Sequence, residues 1–506
     1  MQEDNLSGAN TAVLQRPLLE VVDIFRLHGE EYKNHHPLPP EQKKAMADIA
    51  RCRTASLGGH LDTCDQGCGY TRISYNSCRN RHCPKCQSLT QAKWLQGRME
   101  RLLPTHYFHV VVTLPHQLGP LTLQNKETLY ALFFRTASQA LRDLALGYPR
   151  LQAQLGFSAV LHTWNQDLQF HPHLHLVVTG GGLDPSGKRW VPSKKSFLLP
   201  VKALSQIVRG KFLDALKEAC QKGQLLFQAS TECLKEQKAF CLFLKKLRSL
   251  KWVVYSKEPF GGPEQVYRYV SRYTHRVAIS NHRLVSCQNG QVTFHARDNT
   301  NPLKPRQITL PAQEFIRRFL LHVLPSGFVK IRHYGLLAPC NAKTKLQTAR
   351  TLILQMDPTG GNDQKMAKPK TKTPLLHAWQ DLMYNLTGID LKTCPRCRKG
   401  TLIRRPLTLF PEIEILYYLN NANTAGLIMT RFIYFKKQIP KDSFLMALQS
   451  PHGPLRPEPS IVDYQCPLTP SENNPFHLDP RKNRSPSPVL NHKTQETVAL
   501  RKTLHD

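Results

Sequence analysis

The chain runs to 506 residues, more than one ordinary domain holds, and two to four folded units fit that length. Its 69 Lys and Arg against 36 Asp and Glu leave a formal charge of +33 with His neutral, an excess that calls for a polyanion, nucleic acid ahead of a membrane or an acidic protein. No stretch approaches the apolar length that spans a bilayer, and the opening MQEDNLSGANTAVLQRPLLE lacks a basic region followed by an apolar run, so a soluble protein retained in the cytoplasm is expected.

Helical spacing of apolar residues between Arg16 and Ala50, broken at HHPLPP, predicts two helices leading into a cysteine-rich stretch. After it, SLTQAKWLQGRMERLLP predicts a basic helix ended by Pro104, and YFHVVVTLP a central strand bounded by Pro115. NKETLYALFFRTASQALRDLAL reads as helix, and FSAVLHTWNQDLQFHPHLHLVVTGGGL as two strands joined by a polar turn, the second closed by Gly180-Gly181-Gly182. Helical patterning returns from Val201 to about Lys246. A short helix is predicted from near Pro263, and AISNHRLVSCQNGQVTFHARD is a β-hairpin turning at Asn289-Gly290. This mixture predicts an α+β fold: an N-terminal helical zinc-binding domain over residues 1–90 and a ferredoxin-like or split-sheet domain over 91–340. A linker and C-terminal region with a CxxC pair follow over 341–450, and a Pro-, Ser- and charge-rich tail, expected to be disordered, over 451–506.

Of 14 cysteines, seven are scattered singly (Cys52, Cys220, Cys233, Cys241, Cys287, Cys340 and Cys466) and the rest cluster, which in a chain that is not exported favours metal thiolates over disulfides. Cys64-x3-Cys68 and Cys83-x2-Cys86, fourteen residues apart, are expected to close one structural tetrahedral zinc site, because two sulfurs on one tight turn share a metal without a long loop closure. Cys78, His82 and His60 lie close enough to replace one of these ligands, and Arg79, Arg81 and Lys85 offset the thiolate charge and present a basic surface to DNA. Cys394-x2-Cys397 resembles half of another zinc ribbon, with no second CxxC after it; Cys340, Cys466 or a partner chain are the available complements.

In QFHPHLHLVVTGGG, His171, His173 and His175 alternate and share one face of a strand, while Leu174 and Leu176 take the other. A lone histidine on a strand is more often structural, but three at period two would be costly to bury unpaired. Two imidazoles leave coordination positions for a third side chain, for which Gln166, His162 and His171 are candidates, and for water and a substrate phosphate. Tyr269 and Tyr273 stand one helical turn apart, with Arg272 and Arg276 beside them as candidate DNA contacts, and Tyr267 points elsewhere. Aromatic residues at this spacing are usually core. A phenol with a pKa of about 10 becomes a useful nucleophile only beside a polarised phosphate and cations, and the chain has residues for both.

The segments CRTASLGGH, YNSCRNRHCPKCQ, YFHVVVTLP, LHTWNQDLQFHPHLHLVVTGGGL, YVSRYTHRVAISNHRL and LPSGFVKIRHYGLLA, in this order from about residue 52 to 338, resemble the bacterial transposases of the insertion-sequence-91 family, a two-tyrosine branch of the His-hydrophobic-His endonucleases. The resemblance implies an N-terminal zinc-binding domain, a catalytic domain with Mg²⁺ or Mn²⁺, and rolling-circle transposition through single-stranded DNA ends of the mobile element, in a nucleoid-associated bacterial protein. Carried over by position, His173 and His175 match the metal pair, Tyr269 and Tyr273 the nucleophiles, and FHVVVTLP the strand flooring the site. The first knuckle has one residue more than the common CxxC, and no family motif falls after about residue 400. Rival expectations are a plasmid replication initiator or relaxase, which shares the chemistry, and a non-enzymatic zinc-dependent nucleic-acid binder. A helicase segment would favour the relaxase, but no GxxxxGK[ST] occurs.

Overall fold

A computed structural model describes residues 17–257, 265, 267, 278–297, 305–356, 380, 384 and 390–407. They fall into two compact units: a large one drawn from residues up to 50 and from 80 onward, and a small one in which residues 51–79 join the segment around 390–407.

The large unit is built on an antiparallel sheet. Its strands are β3 (Tyr107–Thr113), β4 (Gln154–Trp164), β5 (Phe170–Leu183), β7 (Val254–Lys257) and β11 (Ile331–Gly335), in the spatial order β11-β4-β5-β3-β7, with short β6 (Trp190–Pro192) paired to the end of β5. Helix α5 (Lys126–Gly147) connects β3 to β4, the β4-β5 hairpin follows, and α6 (Val201–Gln221) and α7 (Gln237–Ser249) lead to β7. That is the ferredoxin-like arrangement expected from sequence, extended by β11 at one edge. All seven residues of β3 are buried, as its unbroken apolar run requires of an interior strand.

Alternation divides the sheet's two faces. Phe108, Val110 and Val112 of β3, Phe157 and Leu161 of β4, and Leu174 and Leu176 of β5 enter one core with Phe133 and Phe134 of α5 and Phe212 of α6. Each such fully buried side chain contributes about 1.5–3 kcal/mol. The odd-numbered partners on β5, His173 and His175, are thereby forced to the opposite face.

The glycine run does not close β5, which continues through it to Leu183. A Cβ at Gly180 would collide with the His106 ring, and one at Gly182 with the Gln154 carbonyl, so these glycines serve close approach inside the strand.

The N-terminal helices α1 (Val21–His35) and α2 (Pro40–Ala50) form on either side of the expected proline break. Both pack within the large compact unit. Phe25 meets Phe319 of α8 (Ala312–Leu321) edge to face at 5.3 Å, and the Val21 amide donates to Asn281 Oδ1 at 3.2 Å. Beside α8, strands β8 (Leu284–Gln288), β9 (Gln291–Ala296) and β10 (Arg306–Pro311) make a second sheet. Its predicted turn is present: Asn289 and Gly290 have φ of 51° and 71°, the left-handed pair a two-residue hairpin needs. Helix α3 (Ser88–Met99) ends before Pro104 as its sequence predicts, and α9 (Lys345–Met356) is the last helix described in full.

In the small unit, β1 (Gly59–Cys64) lies between β2 (Thr71–Tyr75) and β12 (Leu402–Leu407). Leu61 is in register with Ile73 on one side and Arg405 on the other. Asp62, 1% exposed, accepts from Arg72 Nη2 at 2.9 Å and from Arg404 Nε at 2.6 Å. Burial alone would raise its pKa, but the guanidiniums of Arg404 and Arg72 hold it below the ordinary aspartate value.

Candidate metal centres

On the large unit's sheet, His162 of β4 is the direct cross-strand partner of His173, and Val160 and Val111 flank His175 from the two sides. The ligand atoms of His162, His173 and His175 all lie within 4.8 Å of one another. Of the three candidates for a third position, the structure brings His162 to the pair. The His171 ring stands 5.3 Å from that of His173, and its carbonyl accepts from His173 Nδ1 at 2.7 Å, leaving Nε2 of His173 for a ligand. Gln166 is exposed on the turn after β4, its carbonyl bound by Arg283 Nη2 at 2.5 Å.

Sequence reading missed His109. It projects from β3 on the histidine side, its ring stacked on His175 and its Nε2 2.7 Å from His175 Nδ1. The signal was available, since His109 and Val111 alternate with the core-facing residues of the strand assigned to the floor. Burial lowers the pKa of His173 to about 4 and that of His109 to about 4, and drives His175 well down, so all three are neutral donors at neutral pH. Neutral imidazole is the form that binds a metal.

Tyr269, Tyr273, Arg272 and Arg276 lie outside the described residues. Tyr267 is described and is buried, its hydroxyl 3.2 Å from Ser158 Oγ, which itself sits 2.8 Å from His333 Nδ1 on β11. Burial raises its phenol pKa, which suits a core residue.

The thiolates regroup relative to the sequence expectation. The four-sulfur set that contains Cys64 and Cys68 is completed by Cys394 and Cys397, all within 4.8 Å, in place of Cys83 and Cys86. The reason is β12, which pairs with β1 and carries the distant knuckle to the first. Cys394 therefore has its partners without Cys340 or Cys466; Cys466 lies outside the described residues. His60 is not part of the set. In the large unit, Cys83 and Cys86 sit on one tight turn, Cys86 N donating to Cys83 O at 3.3 Å. His82 is committed to protein partners: its Nε2 accepts from the Leu324 amide at 3.1 Å, which leaves Nδ1–H to donate to Asn80 Oδ1 at 3.1 Å. Of the three cations expected to face DNA there, Arg81 donates to the Phe328 carbonyl at 2.7 Å and Lys85 is paired with Glu20, so both are drawn inward, while Arg79 is exposed.

A ferredoxin-like sheet with a convergent histidine face and a separate cluster of cysteines give this protein two sets of side chains that could hold metal ions. Residues 24–114 match the family model described as "Transposase zinc-binding domain", and residues 156–345 the one described as "Putative transposase". The chain is 47% identical over 385 residues to "Putative transposase y4qJ" of Sinorhizobium fredii, covering 76% of this chain and 94% of that protein. It is 27% identical over 309 residues to "Transposase for insertion sequence element IS801" of Pseudomonas savastanoi pv. phaseolicola, covering 58% and 70%. No solved structure matches. The chain belongs to the insertion-sequence-91 family of transposases, DNA-acting enzymes with a zinc-binding domain. Among the described residues no helix is long and apolar enough to cross a membrane.

Proposed function

We propose that this transposase nicks and rejoins single-stranded DNA through phosphotyrosine linkages at Tyr269 and Tyr273, mobilising its element by a rolling-circle route. The observation that supports this most is the convergence of His162, His173 and His175 on one sheet face, their ligand atoms within 4.8 Å of one another. In the reaction, a phenolate oxygen attacks the phosphorus and the bond to the 3′ oxygen breaks. A 5′-phosphotyrosine and a free 3′-hydroxyl result, the phenol proton passing to solvent and the departing 3′ oxygen taking one up from it. A 3′-hydroxyl later attacks the phosphotyrosine and releases the tyrosine, so bond energy is conserved; two tyrosines allow two such linkages in one cycle.

His162, His173 and His175 would hold a divalent ion, which when bound would supply Lewis-acid polarisation of the scissile phosphate. Imidazole suits Mn²⁺ better than Mg²⁺, which prefers oxygen ligands, so this donor set fits Mn²⁺ directly and Mg²⁺ only with water and phosphate filling the remaining positions. His173 donates Nδ1–H to the His171 carbonyl, which fixes its ring for coordination through Nε2, and His175 is fixed likewise when its Nδ1–H donates to His109 Nε2. Arg272, Arg276 and Arg79 are the cations assigned to the DNA backbone. Within the zinc-binding domain, Cys83 and Cys86 on their tight turn supply half of a further thiolate zinc site.

The test is a denaturation-resistant adduct between the protein and labelled single-stranded DNA in Mn²⁺ or Mg²⁺. The adduct is expected from wild type and absent from the Tyr269→Phe/Tyr273→Phe variant. Equal adduct from both sinks the nucleophile assignment.

A further inference from the structure

We infer that Cys64, Cys68, Cys394 and Cys397 form a single tetrathiolate zinc site that staples residues 390–407 into the small unit as its third strand. Half of this ligand set lies far outside residues 24–114, the stretch matched as a zinc-binding domain.

The geometry is that of a closed tetrahedral site. Cys64 Sγ lies 3.7 Å from Cys397 Sγ, and Cys68 Sγ 3.5 Å from Cys394 Sγ. Sulfurs about 2.3 Å from a common tetrahedral zinc stand about 3.8 Å apart, whereas a disulfide requires about 2.05 Å. Four thiolates leave no open position, which marks the site as structural.

The backbone around the sulfurs is prepared for thiolate charge. The Gly400 amide donates to Cys397 Sγ at 3.3 Å, Cys394 N donates to Gly400 O at 2.8 Å, and Arg398 takes a φ of 56° to close the knuckle. Position 400 admits only glycine, because a Cβ there would collide with Cys64 Sγ, across the metal site from its own knuckle. The two knuckles are further locked by a reciprocal pair of bonds: Thr401 N donates to Asp65 Oδ1 at 2.8 Å, and Asp65 N donates to Thr401 O at 3.1 Å. Arg404 reaches Asp62 from the same segment. Sequence separations of 326 and 333 residues join the two halves, so their encounter entails a large closure entropy that metal–thiolate bonds offset.

Zinc per chain, measured on purified full-length protein by elemental mass spectrometry, tests the assignment. The Cys64→Ser/Cys68→Ser and Cys394→Ser/Cys397→Ser variants are each expected to lose one zinc, and the four-fold variant also one, because both pairs serve the same ion. With Co²⁺ in place of zinc, Cys397→His is expected to keep the metal and shift its d–d bands as nitrogen replaces one sulfur, which reports direct ligation even where a serine variant loses its fold. Zinc losses that sum to two, unchanged zinc in the Cys394→Ser/Cys397→Ser variant, or a Cys397→His spectrum identical to wild type would each overturn it. All of these readouts are independent of the tyrosine chemistry.

Discussion

On the large unit's sheet, His162 meets His173 and His175 across a hairpin whose two strands are joined by residues 165–169, whereas in the small unit Cys64 and Cys68 meet Cys394 and Cys397 across more than 320 residues of chain. In the first case the strand period of two suffices to align the donors, since any strand with apolar residues committed to the core must present the alternate residues together. In the second, each knuckle is a recognisable half-site, and only the pairing of β12 with β1 decides which halves join. A constellation carried by local period is thus readable by inspection, while one carried by tertiary pairing is not.

The largest test of that contrast falls on the locally encoded site. His173→Ala is expected to reduce adduct formation by about 10³-fold, the loss of several kcal/mol of charge stabilisation at the phosphate. DNA affinity and zinc content should stay close to wild type, because the +33 charge and the thiolates are untouched. Retained cleavage in a labelled-strand assay would remove His173 from the site. Next in size is His109→Phe, which keeps the ring stacked on His175 but removes the bond to its Nδ1. An effect of about 10–100-fold on metal affinity is expected, as for other residues that orient a ligand from behind. It should appear as a higher Mn²⁺ concentration at half-maximal cleavage with the saturated rate largely kept. A fall in saturated rate with unchanged metal dependence would argue against positioning.

Sequence pattern anticipated the two N-terminal helices, the Asn289-Gly290 hairpin and the histidine face, because each follows from periodicity or turn chemistry within some thirty residues or fewer, and the mixture of such elements was enough for the α+β class. It misplaced what depends on packing partners. Gly180 and Gly182 looked like a strand terminus, yet they exist to let His106 and Gln154 approach. Arg81 and Lys85 looked like surface cations, yet Phe328 and Glu20 engage them inside the large unit. His82 looked like a ligand, yet both its nitrogens are used by Asn80 and Leu324.

Asp62→Asn probes the non-local unit at intermediate size. The carboxylate is buried between Arg72 and Arg404, one from each distant half, and neutralising it leaves two half-buried guanidiniums facing an amide. Because both arginines are about a third exposed, water screens part of the loss, and about 1–2 kcal/mol is expected. Hydrogen exchange at residues 402–407 should quicken while exchange in β3–β5 stays unchanged. Uniform quickening of both units would contradict their independence.

The smallest expected effect concerns His322, which lies wholly inside the large unit. Its Nε2–H donates to the Leu168 carbonyl at 3.1 Å, so Nδ1 must accept from Thr163 Oγ1 at 3.1 Å, an arrangement open only to the neutral ring. Burial, with Lys126 adding to it, lowers its pKa to about 3. The unfolded chain takes up this proton at about pH 6.5 and the folded chain does not, so stability falls as pH drops from about 6.5 toward 3 and is level above that window. Between pH 7 and 5.5 the loss amounts to about 1 kcal/mol. In His322→Gln, an amide can make both hydrogen bonds without titrating, and the thermal midpoint should fall less steeply over the same interval. The small unit has no share in this term, so exchange at residues 402–407 should not register the substitution, and an equal pH slope in wild type and variant would show that His322 is not held neutral by its surroundings.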